Sequence, residues 1–414
     1  MNAMKPRNPY GNPDSHEKPE RNVSFPQQNK PMKRTLVLFI TFCGLFLYTF
    51  AQNFTTPIAI TQIKDDKRSY GFIKHDGTVV ADFIYYRARN FSEGLAAIRD
   101  YDGLWGFIDT TGKRVITMPR GVSEVGDFKE GLCWFRDRSE DLVGYIDRQG
   151  NVVLEPQWGF AQNFNEGLAA VGEAQTFGNM RNITGLTGYI NHNGKLLISV
   201  DQTHNYKNFG SESFNCRRAV IEYFGTVTII DPSGKTIVER PEYTAADAFS
   251  EGLCAVYVAT NWPCGQNDKQ SECISKWGFI DTLGNMIIKP QFESKAAFAE
   301  GVCAVETSEG KYIFIDHTGR NVMGRLFANA EPFNEGIAYV EELDGTKGYI
   351  DHAGKMVVPL PEGYTTTGSS HGGLIQISLT RRKNVTTYYA KKMINHKGEE
   401  VWINEWLEWN RDDE

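Results

Sequence analysis

The chain has 414 residues, with 44 Lys and Arg against 51 Asp and Glu, and it is rich in Gly (40), Phe (25), Tyr (18) and Trp (8). The formal charge of −7 is uneven: the first 51 residues hold seven basic and three acidic side chains, so the remaining 37 basic and 48 acidic ones leave −11. That balance excludes general nucleic-acid binding, which needs a concentrated basic face to displace counterions, and so much Gly and aromatic residue points to turns and pleated surfaces rather than helices.

Residues 1–31 are polar and lack apolar periodicity, which predicts a disordered extension. Residues 32–51 read as a signal peptide: Met32-Lys33-Arg34 is followed by an apolar run from Leu36 to Phe50, then by the small residue Ala51. The run is short of the roughly 20 apolar residues that span a bilayer. The expectation is therefore an exported protein (periplasmic, cell-surface or secreted) maturing near Gln52. Membrane contact is expected only through an uncleaved amino-terminal segment. Met1 and Met32 are both candidate starts.

From residue 52 to residue 403 two signatures alternate. The first is an aromatic-aliphatic strand ending in a turn, Trp105-Gly106-Phe107-Ile108-Asp109-Thr110-Thr111-Gly112. Its closing glycines, Gly77, Gly112, Gly150, Gly194, Gly234, Gly284, Gly319, Gly354 and Gly398, make nine copies spaced by 35 to 50 residues. The second is Phe91-Ser92-Glu93-Gly94-Leu95-Ala96, repeated at Phe128, Phe164, Phe249, Phe298 and Phe333, and degenerate at Phe214 and His371. Asp-x-x-Gly is turn chemistry, because Asp bonds the backbone ahead of it and Gly accepts positive φ. Each unit thus reads as three short strands, with a fourth available from segments such as Tyr85 to Asn90. The expected fold is an all-β array of nine tandem three- to four-stranded meanders, propeller-like or an open β-superhelix.

The joint motif resembles the WG (KWG) repeat of bacterial proteins, although only Trp105-Gly106 and Trp277-Gly278 keep the literal pair. The resemblance implies an array used for interaction and implies no reaction.

Candidate chemistry is sparse. Glu93, Glu130, Glu166, Glu251, Glu300 and Glu335 could ring a cation, but a carboxylate before Gly at a corner also accepts backbone N–H bonds, and that reading is preferred. The turn residues Asp109, Asp147, Asp231, Asp281, Asp316 and Asp351, and His75, His192, His317, His352 and His396 beside them, read as structural. No metal site, cofactor or catalytic motif is expected. Cys133, Cys254 and Cys303 stand where other units have Ala, whereas Cys264 and Cys273 bracket eight residues of an insert and are expected to form a disulfide. In the tail, residues 404–414 with the end of the array, Trp402, Trp406 and Trp409 fall on one helical face and read as a cap or as a sugar-stacking surface. The reading is a non-catalytic exported scaffold for a protein or peptide, with carbohydrate or cell-wall binding as the alternative.

Overall fold

The computed structural model describes residues 56–64, 67–177, 180–183, 186–200, 213–223, 226–259, 275–383 and 386–409. All regular structure in them is β. Unit two shows the pattern: Arg87–Ala88, Leu95–Arg99, Trp105–Asp109 and Arg114–Thr117 pair in sequence order as an antiparallel meander. We call these the inner, second, third and outer strands. Units three, four, six, eight and nine repeat the four strands; units one and five show three, and unit seven two. The added inner strand falls in the segment between one outer strand and the next Phe, where a fourth strand is available in the sequence.

Two local rules shape each unit. The Glu-Gly corner is a two-residue hairpin: Ser92 and Leu95 exchange both backbone hydrogen bonds, and Glu93 and Gly94 have φ of 51° and 78°. Positive φ at both central residues is the mark of a type I′ turn. Gly106, by contrast, answers to close approach, since a Cβ there would lie 2.6 Å from the Ile116 carbonyl of the bulged outer strand.

A four-stranded sheet of this size cannot bury an apolar face alone, so the cores form between units. Phe107 and Ile116 of unit two pack with Phe128, Cys133 and Phe135 of unit three. Six of the junctions pack the third-strand aromatic of one unit against the motif Phe of the next, edge-on in Phe72–Phe91, Phe107–Phe128, Tyr189–Phe214, Phe279–Phe298 and Phe314–Phe333 and tilted in Tyr145–Phe164, with centroids 4.9–5.3 Å apart. Such a pair adds about 0.5–1.5 kcal/mol beyond its burial.

The array closes. Nine units in an open row would share eight cores; the described residues form nine. The ninth joins Ile58, Ile60 and Ile73 of unit one to Leu374 and Met393 of unit nine. Phe83 and Trp402 stack across the same junction at 5.7 Å, and Gly77 packs so tightly on the Val401 carbonyl that a Cβ would collide with it. The tail is not the helix that the Trp spacing suggests. Glu400–Trp409 is a strand, paired with Thr386–Asn395 from Glu400 opposite Ile394 to Trp409 opposite Thr387, because the edge of unit nine offers it a full ladder of backbone partners.

If closure is correct, Ile60→Ala will destabilise the entire ring by about 2–4 kcal/mol. Chemical denaturation should then show one shifted cooperative transition. An early separate transition of the end units, with the remainder unmoved, would indicate an open row instead.

Candidate functional site

The two faces of the array differ. Residue Glu93 of unit two sends its side chain to unit three, where its carboxylate accepts the N–H groups of Glu130 (2.6 Å) and Gly131 (3.0 Å) and pairs with Arg148 (3.5 Å). The device recurs. Glu130 accepts from Gly167, Glu166 from Arg217, Glu251 from Gly301, Glu300 from Gly336, and Glu335 from Gly372 and Gly373, all at 2.7–3.3 Å. Each carboxylate therefore grips the corner of the following unit rather than only ending its own strand.

Four of the five turn histidines belong to the same device, which sequence reasoning missed. His192, His317 and His352 lie 3.0–3.4 Å from Glu130, Glu251 and Glu300 of the preceding unit. Each also stacks flat on the motif Phe of its own unit, at 4.0–4.4 Å. His396 bonds Ser370 Oγ at 2.6 Å, and that hydroxyl donates to Glu335; burial pushes the His396 imidazole below its usual pKa. The sequence held one signal, a Glu repeated at six corners where a hairpin turn favours Asn or Gly. All six occupy left-handed φ between 50° and 55°, and the side chain is used elsewhere.

The turn Asp residues serve their own loops. Asp316 Oδ1 accepts from Thr318 N, Thr318 Oγ1 and Arg320 N, and the Thr318 hydroxyl is the main reason its carboxyl is held at about 2. Asp109 and Asp231 are lowered for the same reason, through Thr111 and Ser233. Cys133, Cys254 and Cys303 are buried free thiols whose pKa burial raises. Cys264 and Cys273 lie outside the described residues. Trp105 is 3% exposed and its indole N–H donates to the Ser123 carbonyl of unit three. Trp277 is half-buried against Tyr257, and the Cβ that Gly278 lacks would crowd the Ile288 carbonyl. Trp402 is engaged with Phe83; of Trp406 and Trp409 only the backbone is described, in the strand Glu400–Trp409.

Corners and Asp-x-x-Gly turns therefore share one face, tied by the Glu contacts. The connections from second to third strand lie on the other. On the tied face, the loops between third and outer strands are uniformly four or five residues, as in 110–113 and 351–355. On the other, open face the second and third strands of a unit are separated by as few as two residues of sequence and by as many as fifteen, and in unit four the interval carries an extra hairpin, Ala174–Phe177 with Met180–Ile183. A cavity of about 590 Å³ is lined by Glu124, Phe160, Gln162, Ser213 and Ala248 of four successive units, so inner strands and the segments that follow them converge there. Among the described residues no group of three or more His, Cys, Asp or Glu is placed to hold a metal ion.

A ring of meander blades with one conserved-geometry face and one variable face defines a propeller-like repeat scaffold. Residues 70–104, 105–138, 144–173, 228–262 and 277–312 match the family described as WG containing repeat, and the chain is a WG repeat protein. Among solved structures it is similar to the computationally designed Ika8 protein (15% identity, TM-score 0.40, covering 77% of this chain and 94% of that one). It is also similar to a eukaryotic initiation factor (13%, 0.41, 86% and 96%) and to BamB from Moraxella catarrhalis (11%, 0.40, 77% and 95%). No curated protein matches the chain in sequence.

Two outcomes follow from the Glu contacts and the Asp turns. In unit five Cys216 holds the Glu position at φ 52°, its Sγ meets Gly252 N at 3.4 Å, and Arg218 donates to the Thr282 carbonyl. Cys216→Glu should raise the unfolding free energy by about 1 kcal/mol, while Glu300→Ala should lower it by about 1–2 kcal/mol, read as shifts of the denaturation midpoint. An unchanged midpoint in both would remove the Glu contacts from the account of stability. The lowered Asp316 pKa means its stabilisation is complete above the ordinary aspartate value of 3.8 and is lost as pH falls toward about 2. Asp316→Asn should flatten the acid limb of a stability-against-pH curve, leaving neutral-pH differences unrelated to protonation.

Proposed function

We propose that this protein is a non-catalytic, exported scaffold that binds a protein or peptide through the open face. The observation that carries the reading is the division of labour between the faces. Loop length is held to four or five residues on the face tied by the Glu contacts and varies from two to fifteen on the other. Recognition surfaces are built in this way, on variable loops positioned by a rigid frame. The fold supports a scaffold role. The pairing of Trp402 with Phe83 withdraws one of the three tail aromatics that the carbohydrate reading relied on.

Export is part of the proposal, supported by the basic start, apolar run and Ala51. Mass spectrometry of the natively expressed chain should find an amino terminus near Gln52, and an intact terminus upstream of Met32 would overturn that.

Photo-crosslinkers placed in the open-face loops 100–104 and 307–311 should capture a protein partner, while the same probes at Lys113 and Lys195 of the tied face should not. Capture confined to the tied face would defeat the assignment. Glycan-array binding without any protein capture would favour the carbohydrate alternative.

A further inference from the structure

The repeat array is acidic overall, yet the open face is cationic at the inner rim between units one and two. A cavity of about 390 Å³ there is lined by Arg68, Arg87 and Arg89 together with Tyr70, Tyr86 and Trp105. Arg68 and Tyr70 come from Lys67–Ile73 of unit one, Arg87 from the inner strand of unit two, and Trp105 from the start of its third strand. Arg99 extends the patch, 5.7 Å from the ring centres of both Tyr86 and Trp105, and Arg87 lies 5.7 Å from that of Tyr86.

Carboxylates balance this charge only at Arg89. Arg89 has Glu124 at 3.4 Å and Asp127 at 3.8 Å. The acids of the neighbouring loop are engaged elsewhere, Asp100 by Arg114 and Asp102 by Arg120. Among the described residues Arg68 and Arg87 have no ion-pair partner. Like charges gathered beside aromatic walls, with their guanidinium forks unfilled, are a receptor for an oxyanion.

The shape narrows the class. A second cavity of about 500 Å³ shares Tyr70, Ala88 and Arg89 and continues past Asn90 and Ser92 to Lys129. The two form a trough that follows the inner strand of unit two away from the cationic end. Ala59, on the strand Ile58–Lys64, forms part of its wall, and its N–H is donated to Asn90 Oδ1. That edge of the strand pairs with no other strand among the described residues. An elongated trough beside a strand edge suits an extended backbone, whose N–H and C=O groups can be met there in turn.

We infer that this trough binds an extended peptide segment and seats one of its carboxylates between Arg68 and Arg87. The inference rests on the binding-scaffold reading above and specifies the chemistry of the partner. The carboxylate is an acidic side chain or a chain terminus, and the probes separate the two.

The test uses the full chain and fluorescence-labelled tetrapeptides. Acetylated, amidated tetraglutamate should bind at least tenfold more tightly than acetylated, amidated tetraglutamine. Tetraglutamine with a free carboxyl terminus reports whether a terminal carboxylate suffices; binding as tight as tetraglutamate shows that a chain end serves as well as an acidic side chain, and weak binding assigns the site to acidic side chains. Arg68→Glu with Arg87→Glu should abolish the preference, whereas Arg120→Glu should leave it unchanged, with thermal unfolding confirming that both variants are folded. Equal affinity for tetraglutamate and both tetraglutamines, or a preference that survives the double reversal, overturns the inference. A chain that still captures a protein through its open-face loops in that case leaves the scaffold reading standing, so the two failures are distinguishable.

Discussion

The described apolar cores of this protein lie between units and not within them. A meander of three or four strands, each only two to ten residues long, presents apolar faces that it cannot cover by itself. The neighbour supplies the cover, and this single constraint orders the rest. It requires an aromatic in the third strand, because that position meets the motif Phe of the next unit. It favours small residues, Ala or a thiol such as Cys133, in the second strand, which is buried in the core between two units. It also requires the row to close, since either free end would leave a sheet face such as Ile58, Ile60, Leu374 and Met393 in water.

Apolar packing is tolerant of sliding, so register between units needs a directional contact. The repeat carboxylates provide it. Each reaches forward by one unit to two backbone N–H groups or to one of them, and in most units a basic turn residue closes on it from the side. The conformational cost of a non-glycine residue at φ near 52° is offset by bonds that no Asn or Gly side chain could reach. The stacking of His352 on Phe333 then links the two signatures, so the motif Phe carries an aromatic edge from the unit behind and an imidazole face from its own turn.

Most of the fold was legible in the sequence because repetition amplifies weak signals. Nine Asp-x-x-Gly-like turns and six Phe-x-Glu-Gly corners give the number of units, their strand order and their turns, and even the inner strand had a visible place near Arg87. Closure was not legible, because it depends on whether the rotation per unit accumulates to a full turn, and no single motif encodes that angle. The tail shows a different limit. Trp402, Trp406 and Trp409 fit a helical spacing, but a long exposed strand edge in unit nine makes pairing the better solution, and tertiary hydrogen bonding overrode local pattern. For the site, the sequence identified the Glu residues but not their reach, since a contact across 37 residues of chain has no local signature. The cationic rim was invisible for the same reason: Arg68 and Arg87 are unremarkable until unit one is placed beside unit two.

The forward-reaching carboxylates also give the ring an uneven seam strength. Among the described residues they join unit two through to unit nine, with a thiol at one step, and none ties nine to one or one to two. Unit one is held by packing, by the Phe83–Trp402 stack, by the Asn90 bond to Ala59 and by Tyr101 donating to the Arg68 carbonyl. It is thus the blade whose departure breaks the fewest directional bonds, and local opening of the ring is concentrated there. Because this blade also supplies a wall of the cationic trough, anything that bridges the trough acts as a substitute fastener. Occupancy and ring integrity then become linked quantities, each raising the other by the same free energy.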